Sequence, residues 1–194
     1  MKIGVLALQG AVQPHKEKLI KLGVEVEEVR HPSDLKKLSG IILPGGESTT
    51  LVHLIRLNGL WDALHEFVST KPSWGVCAGA ILLANQVRDP EQPSLGSVNI
   101  MIRRNAYGRQ VDSFIRSLTP TAFWKNKERI EGVFIRAPKI VELAPGVVPL
   151  FMDEGDVVLA EQNNCLVSTF HPELTDNLII HEYFLSKCHE SSNP

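Results

Sequence analysis

Short apolar runs alternate with amphipathic stretches along the first half of the chain. The runs are typical of strands covered on both faces, and the stretches between them carry apolar residues at helical spacing. Buried strands are predicted over 2–8, 40–43 and 73–76, and a half-exposed strand over 24–27, where valine and glutamate alternate. Helices are predicted over 12–22, 51–57 and 60–68. This alternation predicts a parallel sheet with right-handed crossovers.

The second half has a different pattern, in which short strands and turns replace the helices. Strands are predicted over 99–103, 132–135, 148–152, 157–161 and 165–170, after a polar surface loop over 88–97. Glu154-Gly155-Asp156 and Asn163-Asn164 have the composition of hairpin turns. A last helix is predicted over 178–188. We therefore expect one α/β domain over 1–194, with parallel strands first and antiparallel additions later.

Composition and charge narrow the classes of function. The net charge of −2 on 194 residues gives no electrostatic reason to expect nucleic acid or an anionic membrane as a partner. Cys77, Cys165 and Cys188 are an odd number of cysteines without CxxC spacing, so neither a disulfide framework nor a metal site is indicated. No apolar segment is long enough to span a membrane. A cytoplasmic protein is expected, because unpaired cysteines are typical of a reducing compartment.

Cys77 lies at a predicted strand-to-helix junction. Small residues surround it in GVCAG at 75–79, and they allow a sharp turn that exposes the central side chain. A thiol there faces the first N–H groups of the next helix, which favours the thiolate. A buried structural cysteine explains this stretch equally well, since free cysteine is among the most buried residue types.

A second junction carries two glycines at the end of a predicted strand, in PGGESTT at 44–50. Backbone N–H groups in such a loop, followed by a helix, are suited to binding an anion or a carbonyl oxygen. A tight connection without a ligand is the more common meaning of a Gly-Gly turn. The loop is not a Walker motif, because no lysine follows at the required spacing.

His171 and Glu173 follow the predicted strand over 165–170. Ligands of open α/β sheets bind at the carboxyl ends of the strands, where the Cys77 and Gly45-Gly46 loops also emerge. Pro172 favours an extended His171, and side chains two residues apart in an extended segment point the same way. We therefore expect Glu173 to hold one imidazole nitrogen while the other faces Cys77, as nucleophile, base and orienting carboxylate.

These residues resemble the class I glutamine amidotransferases, through GVCAG at 75–79 and HPE at 171–173. More narrowly, the chain resembles the glutaminase subunits of pyridoxal 5'-phosphate synthase. The motifs that carry this likeness are LQGA at 8–11, LPGGEST at 43–49, RNAYGRQVDSF at 104–114, FIRAP at 134–138 and FHPELT at 170–175. Val76 and Ala80 depart from the residues usual in that family, Thr and Leu or Met, without removing a chemical group.

The resemblance implies a flavodoxin-like three-layer fold, with a mixed, mostly parallel sheet flanked by helices. It implies hydrolysis of L-glutamine to L-glutamate and ammonia by Cys77, His171 and Glu173, without a metal or cofactor. N–H groups of Gly46 and Ala78 are the implied oxyanion hole. The implied glutamine site consists of Gly46, Glu47, Ser48, Arg104, Ile135 and Arg136.

The implied partner is a (β/α)-barrel synthase subunit, in a hetero-oligomeric complex that uses the ammonia to build pyridoxal 5'-phosphate. Gln9 is a candidate contact with that partner. We also expect the isolated chain to be nearly inactive, with the Gly45-Gly46 peptide not yet oriented as an oxyanion donor.

Two other functions stay open on the residues alone. One is a free-standing thiol hydrolase of γ-glutamyl amides, which would use the same three residues without delivering ammonia. The other is a non-catalytic α/β module in which Cys77 senses redox state and the Gly-Gly loop holds an anion.

Overall fold

Strands and helices alternate in the first half of the chain, as the apolar pattern predicts. The computed structural model describes residues 1–106 and 113–191. The strands here are β1 (Lys2–Leu6), β2 (Glu25–Val29), β3 (Gly40–Leu43) and β4 (Ser73–Val76). The helices are α1 (Val12–Lys21), α2 (Ser48–Leu57), α3 (Trp61–Thr70) and α4 (Ala78–Leu83), with a 3₁₀ turn at Pro32–Leu35.

Strands dominate the second half. They are β5 (Ala84–Arg88), β6 (Val98–Arg103), β7 (Ser113–Pro120), β8 (Ile130–Ile135), β9 (Lys139–Leu143), β10 (Val148–Asp153), β11 (Asp156–Gln162) and β12 (Cys165–Ser168). A 3₁₀ turn at Pro172–Leu174 and the helix α5 (Ile179–Glu190) follow.

The described strands form a nine-stranded mixed sheet in the order β2-β1-β3-β4-β12-β11-β10-β7-β8. The pairings from β2 to β12 are parallel, and those from β12 to β8 are antiparallel. Parallel and antiparallel pairings are thus equally frequent among these strands. A smaller sheet in the order β5-β6-β9 packs beside it. The expected α/β fold, parallel first and antiparallel later, is confirmed.

Helices cover both faces of the large sheet, which gives the molecule three layers. Side chains from α1 and α5 pack with Ile42 and Trp74 on one face. On the other face, side chains from α2, α3 and α4 pack with Ile41 and Leu43. Neighbouring residues of β3 therefore face opposite layers, as the alternation of side chains along a strand requires.

The two predicted hairpin turns are also confirmed. Asp153 pairs with Asp156 and Gln162 pairs with Cys165, so each hairpin is closed by a two-residue loop. Glu154, Gly155 and Asn163 have positive φ angles of 47°, 97° and 52°. Such angles fit tight hairpin loops, which favour glycine and asparagine.

Three strands, β5, β7 and β9, were absent from the sequence prediction. The apolar run at 81–84 reads as part of a helix, but α4 ends at Leu83 and β5 begins at once. The predicted loop over 88–97 is wrong at Arg88, which ends β5. Most residues of β5 and β7 are exposed or half-buried, so neither has the apolar run that marks a buried strand. No helix among residues 1–106 and 113–191 is long and apolar enough to cross a membrane.

Candidate active site

Cys77 lies in a strained turn between β4 and α4. Its φ and ψ angles are 49° and −100°, a region that non-glycine residues rarely adopt. The Cys77 N–H donates to the Ser168 carbonyl at 2.8 Å, which fastens the turn to β12. A β-carbon on Gly79 would lie 1.9 Å from the Leu43 carbonyl oxygen, so only glycine lets α4 start this close to β3. This is the predicted nucleophile elbow.

His171 follows β12 and meets both of its predicted partners. Its Nδ1 lies 2.7 Å from Glu173 Oε1. The Cys77 side chain is close enough to the ring to help raise the pKa of His171. Because Nδ1 is occupied by Glu173, Nε2 is the nitrogen available to the thiol. The three residues for which the sequence predicts the roles of nucleophile, base and orienting carboxylate therefore lie together.

The backbone conformation between His171 and Glu173 differs from the prediction. The expected extended run through Glu173 is wrong, because Pro172–Leu174 forms a 3₁₀ turn. Proline is well suited to the first position of such a turn, since it lacks the N–H that a helix start leaves unpaired. His171 itself stays outside the turn, with φ −106° and ψ 85°, and its N–H donates to the Val133 carbonyl at 2.7 Å.

Gly45 lies against the His171 ring. A β-carbon on Gly45 would lie 2.3 Å from His171 Cε1, well inside van der Waals contact. The Gly45 carbonyl accepts a hydrogen bond from the Ala11 N–H at 3.1 Å. The N–H of Gly46 points the opposite way across the same trans peptide. The Gly-Gly loop therefore allows the imidazole to approach and has a fixed anchor on the loop after β1.

His171 and Glu173 stabilise each other's charged forms although both side chains are buried. Burial alone would lower the pKa of His171, but the hydrogen bonds to Cys77 and Glu173 outweigh it and raise that pKa to about 10. Burial alone would raise the pKa of Glu173, but His15 and His171 hold it below its ordinary value. An imidazolium flanked by an anionic carboxylate is therefore the favoured form at neutral pH.

A pocket of about 340 Å³ opens in front of Cys77 and His171. Every residue that the resemblance assigns to glutamine binding lines it. Its lining comprises Gly10, Ala11, Gly45, Gly46, Glu47, Ser48, Cys77, Ile81, Arg104, Asn105, Ile135, Arg136, Pro138, His171 and Leu174. Ala78 directly follows Cys77 in the sequence and Glu173 lies two residues after His171. Both are buried behind the pocket lining. The thiol is thus open to a ligand and is not sealed in the core.

Arg104 and Glu47 form one polar cluster at the edge of this pocket. Arg104 Nη2 lies 3.3 Å from Glu47 Oε1 and 3.0 Å from Thr49 Oγ1. Glu47 also caps α2, because its carboxylate accepts from the N–H groups of Thr49 and Thr50 at 3.1 and 2.6 Å. The guanidinium is therefore held in place before any ligand arrives. Residues 107–112 of the motif that contains Arg104 lie outside the described residues.

Gln9 makes two hydrogen bonds to the backbone of Glu47. Its Nε2 donates to the Glu47 carbonyl at 3.4 Å, and its Oε1 accepts from the Glu47 N–H at 3.3 Å. These contacts fasten the Gly-Gly loop to the loop after β1. The expected contact of Gln9 with a partner stays a prediction.

Two histidines near the triad were missed by the sequence analysis. His15 on α1 and His181 on α5 are fully buried. His15 Nε2 lies 3.5 Å from Glu173 Oε2, and His15 Nδ1 lies 3.1 Å from His181 Nε2. A signal for each was present, because His15 shares helical spacing with Leu19 and Leu22, and His181 with Phe184 and Leu185. This spacing indicates that both histidines face the core, where they can contact the buried Glu173.

Comparison with known proteins identifies the family of this chain. The model of the SNO glutamine amidotransferase family matches residues 5–190. The chain belongs to this family. The resemblance drawn from the sequence motifs, and the class I glutamine amidotransferase fold that it implies, are thereby confirmed.

Similar proteins come from several bacteria. The chain is 47% identical over 188 residues to the pyridoxal 5'-phosphate synthase subunit PdxT of Carboxydothermus hydrogenoformans, covering 96% of this chain and 97% of that protein. It is 49% identical over 185 residues to the protein of the same name from Koribacter versatilis, covering 95% and 94%.

Solved structures show the same architecture. A crystal structure of a glutamine amidotransferase matches with a TM-score of 0.89 at 43% identity, covering 96% of this chain and 98% of that one. A glutamine amidotransferase from Thermotoga maritima matches with a TM-score of 0.64 at 12% identity, covering 100% and 86%. The second likeness shows a shared fold and no more.

Proposed function

We propose that this chain is the glutaminase subunit of a pyridoxal 5'-phosphate synthase, which hydrolyses L-glutamine to L-glutamate and ammonia. The observation that carries the proposal is the meeting of Cys77, His171 and Glu173 at one pocket. Membership of an amidotransferase family and the names of the similar proteins support the choice of substrate and pathway.

Cys77 is the nucleophile in this proposal. Its thiolate attacks the side-chain amide carbon of glutamine, and the His171 imidazolium protonates the departing ammonia. The resulting thioester is cleaved by water, from which the now neutral His171 takes a proton. Glu173 holds the ring through Nδ1 and stabilises the imidazolium whenever it forms.

The oxyanion formed by each attack needs backbone donors that point toward it. The Ala78 N–H, directly after the elbow, is one, and the Gly46 N–H is the second. Loss of one such donor typically costs about 3 kcal/mol of transition-state stabilisation. Two backbone donors on different loops make the rate sensitive to the position of the Gly-Gly loop.

Glutamine is bound by residues already at the pocket wall. Arg104 and Arg136 are suited to the α-carboxylate of the substrate, because guanidinium groups bind carboxylates in a bidentate manner. Glu47 and Ser48 supply acceptors for the α-amino group, while Gly46 and Ile135 border the side chain of the substrate.

Ammonia released into water would be protonated and diluted, so the proposal includes a docked acceptor enzyme. That partner is a (β/α)-barrel synthase subunit that incorporates the ammonia into pyridoxal 5'-phosphate. We place the reaction in the cytoplasm, where the thiols of Cys77, Cys165 and Cys188, which form no disulfide, would stay reduced.

The test is ammonia release from glutamine in the presence of the synthase, together with labelling by an electrophilic glutamine analogue. Cys77→Ala is expected to abolish both. Cys165→Ala and Cys188→Ala are matched controls that should retain both, because burial raises the pKa of each of these thiols to about 12 and leaves them unreactive. Ammonia release by Cys77→Ala at the wild-type rate would refute the proposal.

A further inference from the structure

A chain of buried polar contacts continues past the triad on the far side of Glu173. One carboxylate oxygen, Oε1, serves His171, and the other, Oε2, faces Nε2 of His15 at 3.5 Å. His15 in turn contacts His181 through Nδ1, at 3.1 Å. All three side chains are buried, and Glu173 is 3% exposed. The two histidines come from α1 and α5, so the contacts join both ends of the chain to the active site.

Oε2 of Glu173 and Nε2 of His15 are suited to each other. Neither atom has a hydrogen-bond partner within the described part of the chain, and both are shielded from solvent. A separation of 3.5 Å leaves no room for a bridging water, which would need about 5 Å between the two atoms. A buried carboxylate oxygen that lacks a donor is costly, so the N–H of His15 is the group that can satisfy it.

The contact between the two histidines fixes where the protons are. One of the facing nitrogens must donate and the other must accept. If His15 donated from Nδ1, the lone pair on its Nε2 would face the anionic carboxylate. The favoured arrangement therefore has His181 donating from Nε2 to Nδ1 of His15, and His15 carrying its proton on Nε2, toward Glu173.

The charged groups around this pair favour neutral rings. Burial lowers the pKa of His15, and Glu173 opposes this effect only in part. Burial, together with His15 and Lys18, also lowers the pKa of His181. The Lys18 ammonium lies on the same side of α1 and donates to the Thr175 carbonyl. The Trp74 ring packs edge-on to both imidazoles and adds no charge.

We propose, on the basis of the proposed function, that His15 is a positioning residue of the triad. It holds the Glu173 carboxylate by donating from Nε2 to Oε2, and His181 sets the tautomer that makes this possible. Glu173 is thereby kept in the rotamer that orients His171 toward the thiol of Cys77.

The test compares His15→Leu with His15→Gln in the full chain bound to the synthase. Leucine fills space without a donor, and the amide nitrogen of glutamine can replace Nε2. We expect kcat to fall about tenfold to a hundredfold in His15→Leu, with KM for glutamine little changed, and to recover largely in His15→Gln. His181→Leu should cost less, and should add little in the His15→Leu background.

A second measurement needs no glutamine turnover. The rate at which iodoacetamide alkylates Cys77 is followed against pH in the isolated chain. In His15→Leu the rate near neutral pH should be lower than in the wild type, because a loosely held Glu173 no longer keeps the His171 ring oriented toward the thiol. His15→Gln should follow the wild-type profile.

Phe184→Leu is the matched control for packing alone. Phe184 is fully buried, and its ring centroid lies 5.7 Å from that of Trp74. This variant should unfold at a lower temperature with the alkylation profile unchanged. The inference is overturned if His15→Gln is as impaired as His15→Leu, or if His15→Leu alkylates with the wild-type profile. Absence of ammonia release by the wild-type complex would instead refute the proposed function.

Discussion

At the scale of single residues, the triad depends on a close approach between the His171 ring and the backbone of Gly45. Any side chain at position 45 would overlap the imidazole, since even a β-carbon would lie 2.3 Å from Cε1. The ring cannot move freely in response, because Glu173 and Cys77 hold it from other sides. We therefore expect position 45 to affect catalysis although Gly45 carries no side chain.

Gly45→Ala is expected to lower kcat for glutamine about tenfold to a hundredfold, because a displacement of about 1 Å is enough to cost that much. The measurement is ammonia release by the complex, normalised to folded protein. Gly132→Ala is the control, because its β-carbon would meet the flexible Leu118 side chain at 2.6 Å, away from the pocket. It should lower stability and keep kcat, and an equal loss of kcat in both variants would contradict the prediction.

The sequence was informative about the triad because each member lies in a short local motif. GVCAG and HPE place Cys77 and His171 at the ends of two strands, and parallel strands bring those ends to the same edge. The positions of His15 and His181 near the triad cannot be predicted from local motifs. Each reads as part of an apolar helix face, and only the packing of α1 and α5 on the sheet brings them together.

At the scale of elements, β4 and β12 are the pair that sets the active-site geometry. They are parallel neighbours, with Val76 paired to Ser168, and they lead directly into the loops of Cys77 and His171. The Trp74 indole N–H donates to the Ser168 hydroxyl at 3.1 Å, and both groups are buried. This side-chain bond adds to the backbone ladder between the strands that carry nucleophile and base.

Ser168→Ala should lower the free energy of unfolding by about 1–3 kcal/mol, because it leaves a buried indole N–H without an acceptor. Urea unfolding monitored by fluorescence measures this, and kcat per folded molecule should stay near the wild-type value. Ser69→Ala is the control, since that exposed hydroxyl bonds only within its own helix, to the Glu66 carbonyl. Identical urea midpoints for Ser168→Ala and wild type would show that the bond contributes nothing.

The predictability of elements follows their burial. The strands β1, β3 and β4 are apolar and buried, and β2 combines valine with glutamate. The local pattern predicts all four at nearly their observed positions. The strands β5, β7 and β9 expose much of their length, and their stability comes from neighbours that are distant in sequence. Tertiary packing determines how such exposed strands pair, and the local pattern of apolar residues contains no information about it.

At the scale of the whole molecule, the pocket lies at a rim of the sheet and has exposed apolar side chains at its edge. Ile135 and Leu174 both line it and are 37% and 45% exposed. Apolar groups beside a catalytic opening are suited to being covered by another protein. In the proposed complex, the synthase would cover this opening and would receive ammonia without its passage through bulk water.

Docking is expected to control the rate as well as the fate of ammonia. The Gly46 N–H belongs to the same peptide as the Gly45 carbonyl, which is held by Ala11. A partner that reorients this peptide would complete the oxyanion hole, and one such donor is worth about a hundredfold in kcat or more. Addition of the synthase should therefore raise glutamine hydrolysis by about that factor, as measured by coupled assay of glutamate. Synthesis from added ammonium salt by the synthase alone is the control that the partner is intact, and equal glutaminase rates with and without it would show that the isolated chain is already complete.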